Sequence, residues 1–492
     1  MKKYVLVCVL LIASLVILAA CGSNDNGGNG GNDVVVSPDS PPVAPPADTS
    51  TADAAPPVVV PTDVQITLRY ANWNVGTEEE NNLERRMIQA FMDEHPNITI
   101  EIDESIVHPW TEALTVAASI GNLPDVFMVN DTGMMAANGW LLDITSMSNG
   151  DSDFTSLPAA IREATQIGNV VYTVPFAQFM MGYFVNRTLF EEFNLDPPEF
   201  GVSTDDFVSL IRQVTDLNRP SIGLTYANQF LYWLPASRNS NFGFFGYDGT
   251  AYVLNSPEMI EAINLAAELT ATGMTYGGLD YDLRQEIFPM PWAGGNFNQG
   301  HVGVAWDGTW AIGHLPRYAA ENNFDLDFIG VPGGNTIVTL DILGIASTTE
   351  HPEAAYLFAR WMGHGVEGYL RRVEIAQANG LTVNGMPLST NTRVLDAFWN
   401  IMGDAATLPG MRAAVNSLDT ALIDGNKIVP GFVQGRFYAP TGISIPGTDY
   451  DNATVNQVIH FSILGNLNFA DHADAVNNAS RAAVQAARDA IN

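Results

Sequence analysis

The strongest constraint on the fold is an alternation of strand-like and helix-like segments that begins near residue 64. Residues 64–70 alternate between apolar and polar side chains, residues 78–95 carry apolar side chains at helical spacing, and residues 98–102 alternate again. This order predicts a βαβ unit, because two parallel strands need a crossover connection. The sequence therefore predicts an α/β fold with mainly parallel sheets.

Shorter patterns predict further elements along the chain. Ser203 followed three residues later by Asp206 is typical of a capped helix start, and proline in the first turn marks other starts. These elements are a buried strand at 125–129, a helix after Ser203, a hairpin turn at 247–250, helices from Pro257 and Pro352, and a terminal helix at 471–491.

The first 21 residues have the pattern of a secretory signal. Lys2 and Lys3 precede an apolar run at 4–20, and small residues lie directly before Cys21. This arrangement resembles the bacterial lipobox, in which the cysteine thiol is lipidated after cleavage. We expect residues 1–20 to be a signal peptide and Cys21 to be a lipid anchor. The alternative is an uncut signal anchor with an incidental cysteine.

A segment of unusual composition follows the cysteine. Residues 22–63 are rich in Gly and Asn and then in Pro, Ala and Asp, and they contain no aromatic residue, Lys or Arg. Such a segment cannot bury enough apolar surface to order itself. Together with Cys21 it predicts a disordered tether, residues 21–63, that reaches tens of Å from a membrane.

Charge and length exclude several classes of protein. The 492 residues include 21 Lys and Arg against 54 Asp and Glu, a net charge of −33, and loss of residues 1–20 leaves −35. This field repels phosphate backbones, which argues against a nucleic-acid partner. The 47% hydrophobic content indicates a globular chain, and single cores stop growing near roughly 250–300 residues. We therefore expect two lobes.

The motif search gives no catalytic constellation. Residues 363–368 match G-x-G-x-x-G, but they follow a helical run instead of a strand, which predicts a loop between helices and not a dinucleotide site. With 54 acidic residues some carboxylates must lie close by chance, so a glycosidase pair cannot be argued from them. We expect no catalytic residue, no cofactor and no metal site.

Aromatic residues beside polar ones recur at the ends of predicted strands, where ligands of α/β proteins bind. An aromatic face next to carboxylates or amides suits a sugar, because the ring covers C–H groups while polar groups bond the hydroxyls. The alternative for each is a place in the core or at its rim. The candidates are Trp73, Asn74, Asn130, Asp131, Gln178, Phe179, Phe230, Trp233, Asp307 and Trp310.

The order and spacing of several short strings resemble the maltose-binding-protein-like family of extracellular solute-binding proteins, the receptors of ABC importers. The resemblance spans about residues 65–492. Its strings are the strand and helix that contain Trp73 and residues 78–95, LPDVF at 123–127, GWLLD at 139–143, VYTVP at 171–175, YFVN at 183–186, residues 300–310, PGG at 332–334 and HPEAA at 351–355.

The resemblance implies a type II periplasmic-binding-protein fold. In it two α/β lobes, each a mixed sheet flanked by helices, are joined by crossover segments and close on a ligand by a hinge. Lobe one would hold residues 64–177 and 335–387, and lobe two residues 178–334 and 388–492. A monomeric receptor is implied.

The resemblance also assigns residues. Trp310 matches the stacking tryptophan of the family. Phe179 stands where the maltose receptor has a glutamate, a departure that argues against maltose itself and leaves Gln178 as the alternative polar contact. Trp73, Asn130 and Asp131 match strand-end positions that often touch ligand in this family. Phe230 and Trp233 match an aromatic segment of lobe two.

The expected function is a lipid-anchored receptor on the outer face of a Gram-positive membrane. It would capture a carbohydrate, an oligosaccharide by expectation, and deliver it to ABC permease subunits. Two other functions stay open at this point. One is a secreted hydrolase or lyase that degrades glycans, and the other is a surface glycan-binding lipoprotein without a role in transport.

Overall fold

The computed structural model describes residues 61–491, apart from residue 384 and residues 404–407. The predicted signal peptide, Cys21 and nearly all of the tether lie outside the described residues. The described residues fall within one compact unit. Its strands are β1 (Ile66–Ala71), β2 (Ile98–Ile102), β3 (Val126–Val129), β4 (Gln166–Ile167), β5 (Val170–Val171), β6 (Thr173–Asn186), β7 (Ile222–Leu224), β8 (Val302–Gly308), β9 (Leu326–Phe328), β10 (Ile337–Ile345), β11 (Leu422–Ile423), β12 (Pro440–Ile443) and β13 (Ala453–Thr454).

Helices pack around these strands. They are α1 (Leu83–Glu94), α2 (Trp110–Ser119), α3 (Thr132–Ala137), α4 (Thr145–Asn149), α5 (Ser152–Thr155), α6 (Ala159–Ala164), α7 (Arg187–Glu192), α8 (Thr204–Val214), α9 (Phe230–Arg238), α10 (Pro257–Ala271), α11 (Tyr281–Ile287), α12 (Ala293–Asn298), α13 (Leu315–Glu321), α14 (Pro352–Met362), α15 (Val366–Asn379), α16 (Thr392–Ile401), α17 (Pro409–Asn416), α18 (Val455–Ile463) and α19 (Ala473–Asp489).

The main sheet has the strand order β2-β1-β3-β10-β6-β8-β7, with β11 beside β10 and β9 beside β6. β1 is parallel to β2 and β3, and β7 is parallel to β8. β10 is antiparallel to both β3 and β6. The α/β class is confirmed, and so is the mixed sheet that the resemblance implied. The expectation of mainly parallel sheets was wrong, because the two long central strands β6 and β10 are antiparallel to each other and to their neighbours β8 and β3.

The first βαβ unit is confirmed, but its helix is shorter than predicted. Ile66 pairs with Ile98 in a parallel register. The helix begins at Leu83 rather than at residue 78, because the Asn82 side chain accepts a hydrogen bond from the Arg85 N–H and caps the helix there. The Thr77 N–H bonds the Glu80 carboxylate at 2.8 Å, so the segment before the cap is a turn.

Other predicted helix starts agree with the structure. The Ser203 hydroxyl accepts a hydrogen bond from the Asp206 N–H at 3.0 Å and caps α8. Pro257 and Pro352 occupy the first turns of α10 and α14. The predicted hairpin at 247–250 was wrong in one respect: it forms a turn closed by a single bridge from Tyr247 to Tyr252, with no strand on either side.

The glycine-rich string at 363–368 lies between two helices, as predicted, but only residues 363–365 form the turn and residues 366–368 already begin α15. Its histidine is buried in an ionic cluster. His364 Nε2 lies 2.9 Å and Arg360 Nε lies 3.0 Å from the Asp151 carboxylate. Burial alone would raise the pKa of Asp151, but the hydrogen bond and charge of His364, together with Arg360, lower that pKa to about 2. The cluster ties α5 to the α14–α15 turn.

Two hydrophobic clusters stabilise the described chain. The first surrounds β1, β2 and β3 and continues along the sheet to Val302 of β8 and Ile222 of β7. The second packs α8, α9, α10, α18 and α19 against the other face of β6 and β8. Except for Ile337, the second cluster lies within the segments predicted for lobe two. We keep the predicted lobe boundaries as a proposal.

Candidate functional site

The candidate site follows from where the strands end. Val129 of β3 lies opposite Ile342 of β10, which in turn lies opposite Pro175 of β6. On the other side, Gly308 of β8 lies opposite Met181 of β6. The carboxyl ends of β3 and β8 therefore flank the middle of β6 from opposite sides. Side chains that follow these ends face the region between the two predicted lobes.

A cavity of about 380 Å³ occupies this region. Its lining includes Asn74, which follows β1, Phe179 in the middle of β6, and Trp310, which follows β8. These three of the predicted ligand contacts come from distant parts of the chain. The structure brings them to one concave surface.

Trp310 forms the lobe-two wall of this cavity. Its side chain is 42% exposed, and its ring meets Phe179 edge to face with 5.7 Å between centroids. A Cβ atom at position 308 would lie 2.3 Å from the Trp310 ring. Glycine is needed here because the ring rests directly on the backbone.

Asp307 supports this tryptophan. Its carboxylate accepts hydrogen bonds from the Gly308 N–H at 2.8 Å and from the Trp310 side chain. Burial raises the pKa of Asp307, and these two hydrogen bonds offset part of that rise. The carboxylate therefore orients the indole ring, whose exposed face stays available to a ligand.

Trp73 provides a second exposed aromatic surface at the end of β1. It is 39% exposed and meets Trp110 edge to face with 5.2 Å between centroids. The ammonium group of Lys427 lies 5.6 Å from the Trp73 ring centroid. That ammonium also bonds the Asp341 carboxylate at 2.5 Å and the Leu340 carbonyl at 3.0 Å, which fixes it beside the central strand β10.

Asn130 and Asp131 both follow β3, but local hydrogen bonds engage them. Asn130 Nδ2 donates to Thr111 Oγ1 at 2.7 Å, while Asn130 Oδ1 is buried and has no partner. The Asp131 carboxylate caps α3 by accepting from the Met134 N–H at 2.9 Å. Burial raises the pKa of Asp131. Asn130 Oδ1 is therefore the unengaged polar atom at this strand end.

Three other predicted contacts have structural roles instead. Gln178 is buried, and its Nε2 donates to the Pro387 carbonyl at 2.5 Å. Phe230 and Trp233 are fully buried in the second hydrophobic cluster, where Trp233 Nε1 donates to the Tyr183 hydroxyl at 3.2 Å. This corrects the prediction for Phe230 and Trp233: one face of α9 packs both side chains into the core, away from the cavity.

The cavity also contains a charged pair that the sequence reasoning missed. Arg372 forms a bidentate ion pair with Glu84 and donates to the Met362 carbonyl at 2.9 Å. The buried Tyr369 hydroxyl beside them has no partner. The pair joins α1 to α15, and nothing in the local sequence reveals a contact over that separation. Lys427 was missed as a site residue for the same reason.

The cavity is lined by aromatic side chains and by Tyr369, whose hydroxyl has no partner. Groups of these kinds can cover and bond a polyhydroxylated molecule. Within the described residues no group of three or more His, Cys, Asp or Glu could hold a metal ion. In the same part of the chain no helix is both long and apolar enough to cross a membrane.

The fold and the cavity define the class as a two-lobed α/β protein with a concave surface beside the middle of its central strand β6. The family model for bacterial extracellular solute-binding proteins matches residues 76–363, more than half of the chain. The protein therefore belongs to that family.

Two sequence relatives and one solved structure match this chain over most of their own length. An uncharacterized ABC transporter extracellular-binding protein of Pyrococcus horikoshii is 23% identical over 386 residues, 76% of this chain and 84% of the relative. The multiple sugar-binding protein of Streptococcus mutans is 20% identical over 379 residues, 72% and 78% respectively. The structure of an ABC substrate-binding protein of Listeria monocytogenes in complex with cycloalternan has a TM-score of 0.61 and 17% identity. The match covers 86% of this chain and 99% of the Listeria chain.

Proposed function

We propose that this protein captures a carbohydrate between its lobes and delivers it to the permease of an ABC transporter. The observation that carries the proposal is a pair of tryptophans at strand ends of opposite lobes, Trp73 and Trp310. Each leaves about two fifths of its side chain exposed, at 39% and 42%. Exposed indole faces next to amides and carboxylates are suited to sugar rings.

The relatives support the choice of ligand class. One is a multiple sugar-binding protein, and another was solved in complex with the oligosaccharide cycloalternan. We propose a ligand of the same broad class for this chain, with a size beyond a single sugar ring. Phe179 in place of the glutamate of the maltose receptor argues for a ligand other than maltose.

Transport requires that ligand binding change the shape of the receptor. A ligand that contacts both walls gains its full binding free energy only when the lobes close, so it shifts the population toward the closed form. The central strands β6 and β10 run between the two walls and would carry the hinge. We propose that the permease recognises the closed form and that the protein itself makes and breaks no bond.

The location is part of the proposal. The signal pattern and Cys21 favour a monomeric lipoprotein on the outer face of a Gram-positive membrane, tethered by residues 21–63. Metabolic labelling with a palmitate analogue tests this directly. Label is expected on the wild-type chain and absent from Cys21→Ser, and equal labelling of both would contradict the lipid anchor.

The experiment for ligand binding is a titration of the unit that begins at residue 54 with a panel of oligosaccharides. We expect at least one glycan to change tryptophan fluorescence and to reduce the scattering radius of gyration. Mass spectrometry after long incubation should recover that glycan intact, whereas its turnover would favour a degradative enzyme. If no glycan changes either signal while a peptide or polyamine does, the carbohydrate assignment is wrong.

A further inference from the structure

A second cavity, away from the aromatic site, has an unusual charge environment. It has a volume of about 330 Å³ and lies between α9, the segment after α10, and α18. Arg436 and His460 line it together with the polar side chains of Asn228, Thr275 and Asn456. None of its lining residues is acidic, whereas four other cavities of this acidic chain each include Asp or Glu.

The backbone holds Arg436 in an irregular position. Residues Gln434–Tyr438 form a π-helical turn, a feature that recurs at functional sites. A Cβ atom at position 435 would lie 3.0 Å from the Ser480 carbonyl oxygen of α19. The close approach of the two backbones at this glycine places the following arginine inside lobe two rather than on its surface.

Aromatic rings enclose the Arg436 guanidinium. Its Cζ atom lies 4.1 Å from the ring centroid of Phe245, 4.9 Å from that of Phe437 and 5.3 Å from that of Tyr232. Rings on several sides stabilise the charge by cation–π attraction. They also hold the planar group in one orientation, so that its N–H donors have a fixed direction.

The hydrogen-bonding capacity of this guanidinium is largely unused. Nη2 donates to the Tyr232 hydroxyl at 3.3 Å, and Nη1 is buried without a partner. Within the described residues no carboxylate forms an ion pair with Arg436. The Asp424 carboxylate, which acts on Arg436 only through its charge, bonds the Asn426 N–H and the Thr339 side chain instead.

A buried guanidinium that no carboxylate bonds directly has N–H donors left over for another acceptor, and an unmade hydrogen bond of a buried charged group is costly. We propose that this second cavity binds an oxyanion, the carboxylate of an acidic monosaccharide or a free phosphate. Guanidinium N–H donors match the oxygen spacing of both groups. The amides of Asn228 and Asn456 and the Thr275 hydroxyl add neutral polar partners. This site is independent of the carbohydrate cavity.

The test uses the intact protein at constant ionic strength, with chloride as the background anion. Glucuronate, phosphate and sulfate are titrated by calorimetry and by thermal unfolding, and glucose serves as the neutral comparison. We expect one of the anions to bind and to raise the unfolding temperature, with glucose inactive. Glucuronate alone would identify a carboxylated sugar, and phosphate alone a free anion. No binding, or equal binding of glucose, would overturn the proposal.

Variants locate the site. Arg436→Gln should weaken anion binding by about tenfold to a hundredfold, the range for a lost hydrogen bond to a charged group. Arg317→Gln, a change at an exposed arginine on α13, is the matched control and should leave affinity unchanged. If Arg436→Gln does not fold, Asn456→Leu tests the same cavity from α18. Unchanged anion affinity in Asn456→Leu and in a folded Arg436→Gln would refute the anion site. Binding of neutral oligosaccharides is measured separately and tests only the proposed function.

Discussion

Replacing Trp310 with alanine removes the exposed aromatic wall of lobe two. In the structure this ring rests on the Gly308 backbone, bonds Asp307 and meets Phe179 edge to face. Its other face is open to the cavity. Trp310→Ala should therefore weaken carbohydrate binding much more than it destabilises the fold.

The magnitude follows from the exposed area. A tryptophan side chain presents about 250 Å², and 42% exposure leaves about 100 Å² that a ligand can cover. At about 25 cal/mol per Å², full coverage contributes about 2.5 kcal/mol. A flat sugar ring that covers half of it contributes about 1.2 kcal/mol. The dissociation constant should therefore rise by about sevenfold to sixtyfold.

Isothermal titration with the best glycan of the panel measures this change, and thermal unfolding measures stability in parallel. Trp310→Phe should keep most of the affinity. Trp399→Ala is the matched control, because Trp399 is half-buried, stacks with Arg412 at 4.6 Å and does not line the cavity. If Trp310→Ala binds within twofold of the wild type, the stacking role assigned to this residue is refuted.

Three further outcomes are expected. Gly308→Ala should displace the Trp310 ring, since the new Cβ would lie 2.3 Å from it, and should lower glycan affinity about as much as Trp310→Ala does. Lys427→Met should leave the buried Asp341 carboxylate unpaired and reduce the free energy of unfolding in urea by about 2–4 kcal/mol. The Asp151 pKa of about 2 lies below its unfolded value of about 3.9, so its stabilisation is complete above pH 4 and is lost as the pH falls toward 2.

Each outcome has its own control. Gly380→Ala, at an open left-handed helix end, should leave affinity intact while costing some stability, and an equal affinity loss there would contradict the ring-displacement argument. The double variant Lys427→Met, Asp341→Leu should be more stable than the sum of the two single losses predicts, because it leaves no unpaired charge. Strictly additive losses would show that the two side chains are not energetically coupled. In Asp151→Asn the free energy of unfolding should change less between pH 4 and pH 2 than it does in the wild type. An unchanged pH dependence would exclude the Asp151 carboxylate as its source.

Local patterns were enough to predict the α/β class, several of the element starts that were named, and three candidate residues that line one cavity. The cap at Ser203 and the start at Pro257 formed as expected because both signals depend on neighbouring residues only. The choice of Trp310 and Asn74 came from strand ends that meet at the cavity. Polar and aromatic residues that follow a predicted strand can be read from the sequence. They are good site candidates because ligands of α/β sheets bind in the crevice at the carboxyl ends of the strands.

Packing decided the rest. Phe230 and Trp233 carry the same aromatic signal as Trp310, yet they lie three residues apart on one helical face and are both buried in the core. Gln178 has the right polarity, but its amide binds the Pro387 carbonyl, more than two hundred residues away. Burial is a property of what packs against a side chain, and no local pattern contains it.

The sequence by itself determined the class of fold, the family and a set of aromatic candidates, because these depend on periodicity, caps and short strings along the chain. Only the tertiary structure decided which candidates face the cavity, that Lys427 meets Asp341, and that Arg436 is enclosed by rings without a carboxylate partner among the described residues. Charge compensation depends on distances between residues far apart in sequence, and only the fold sets those distances.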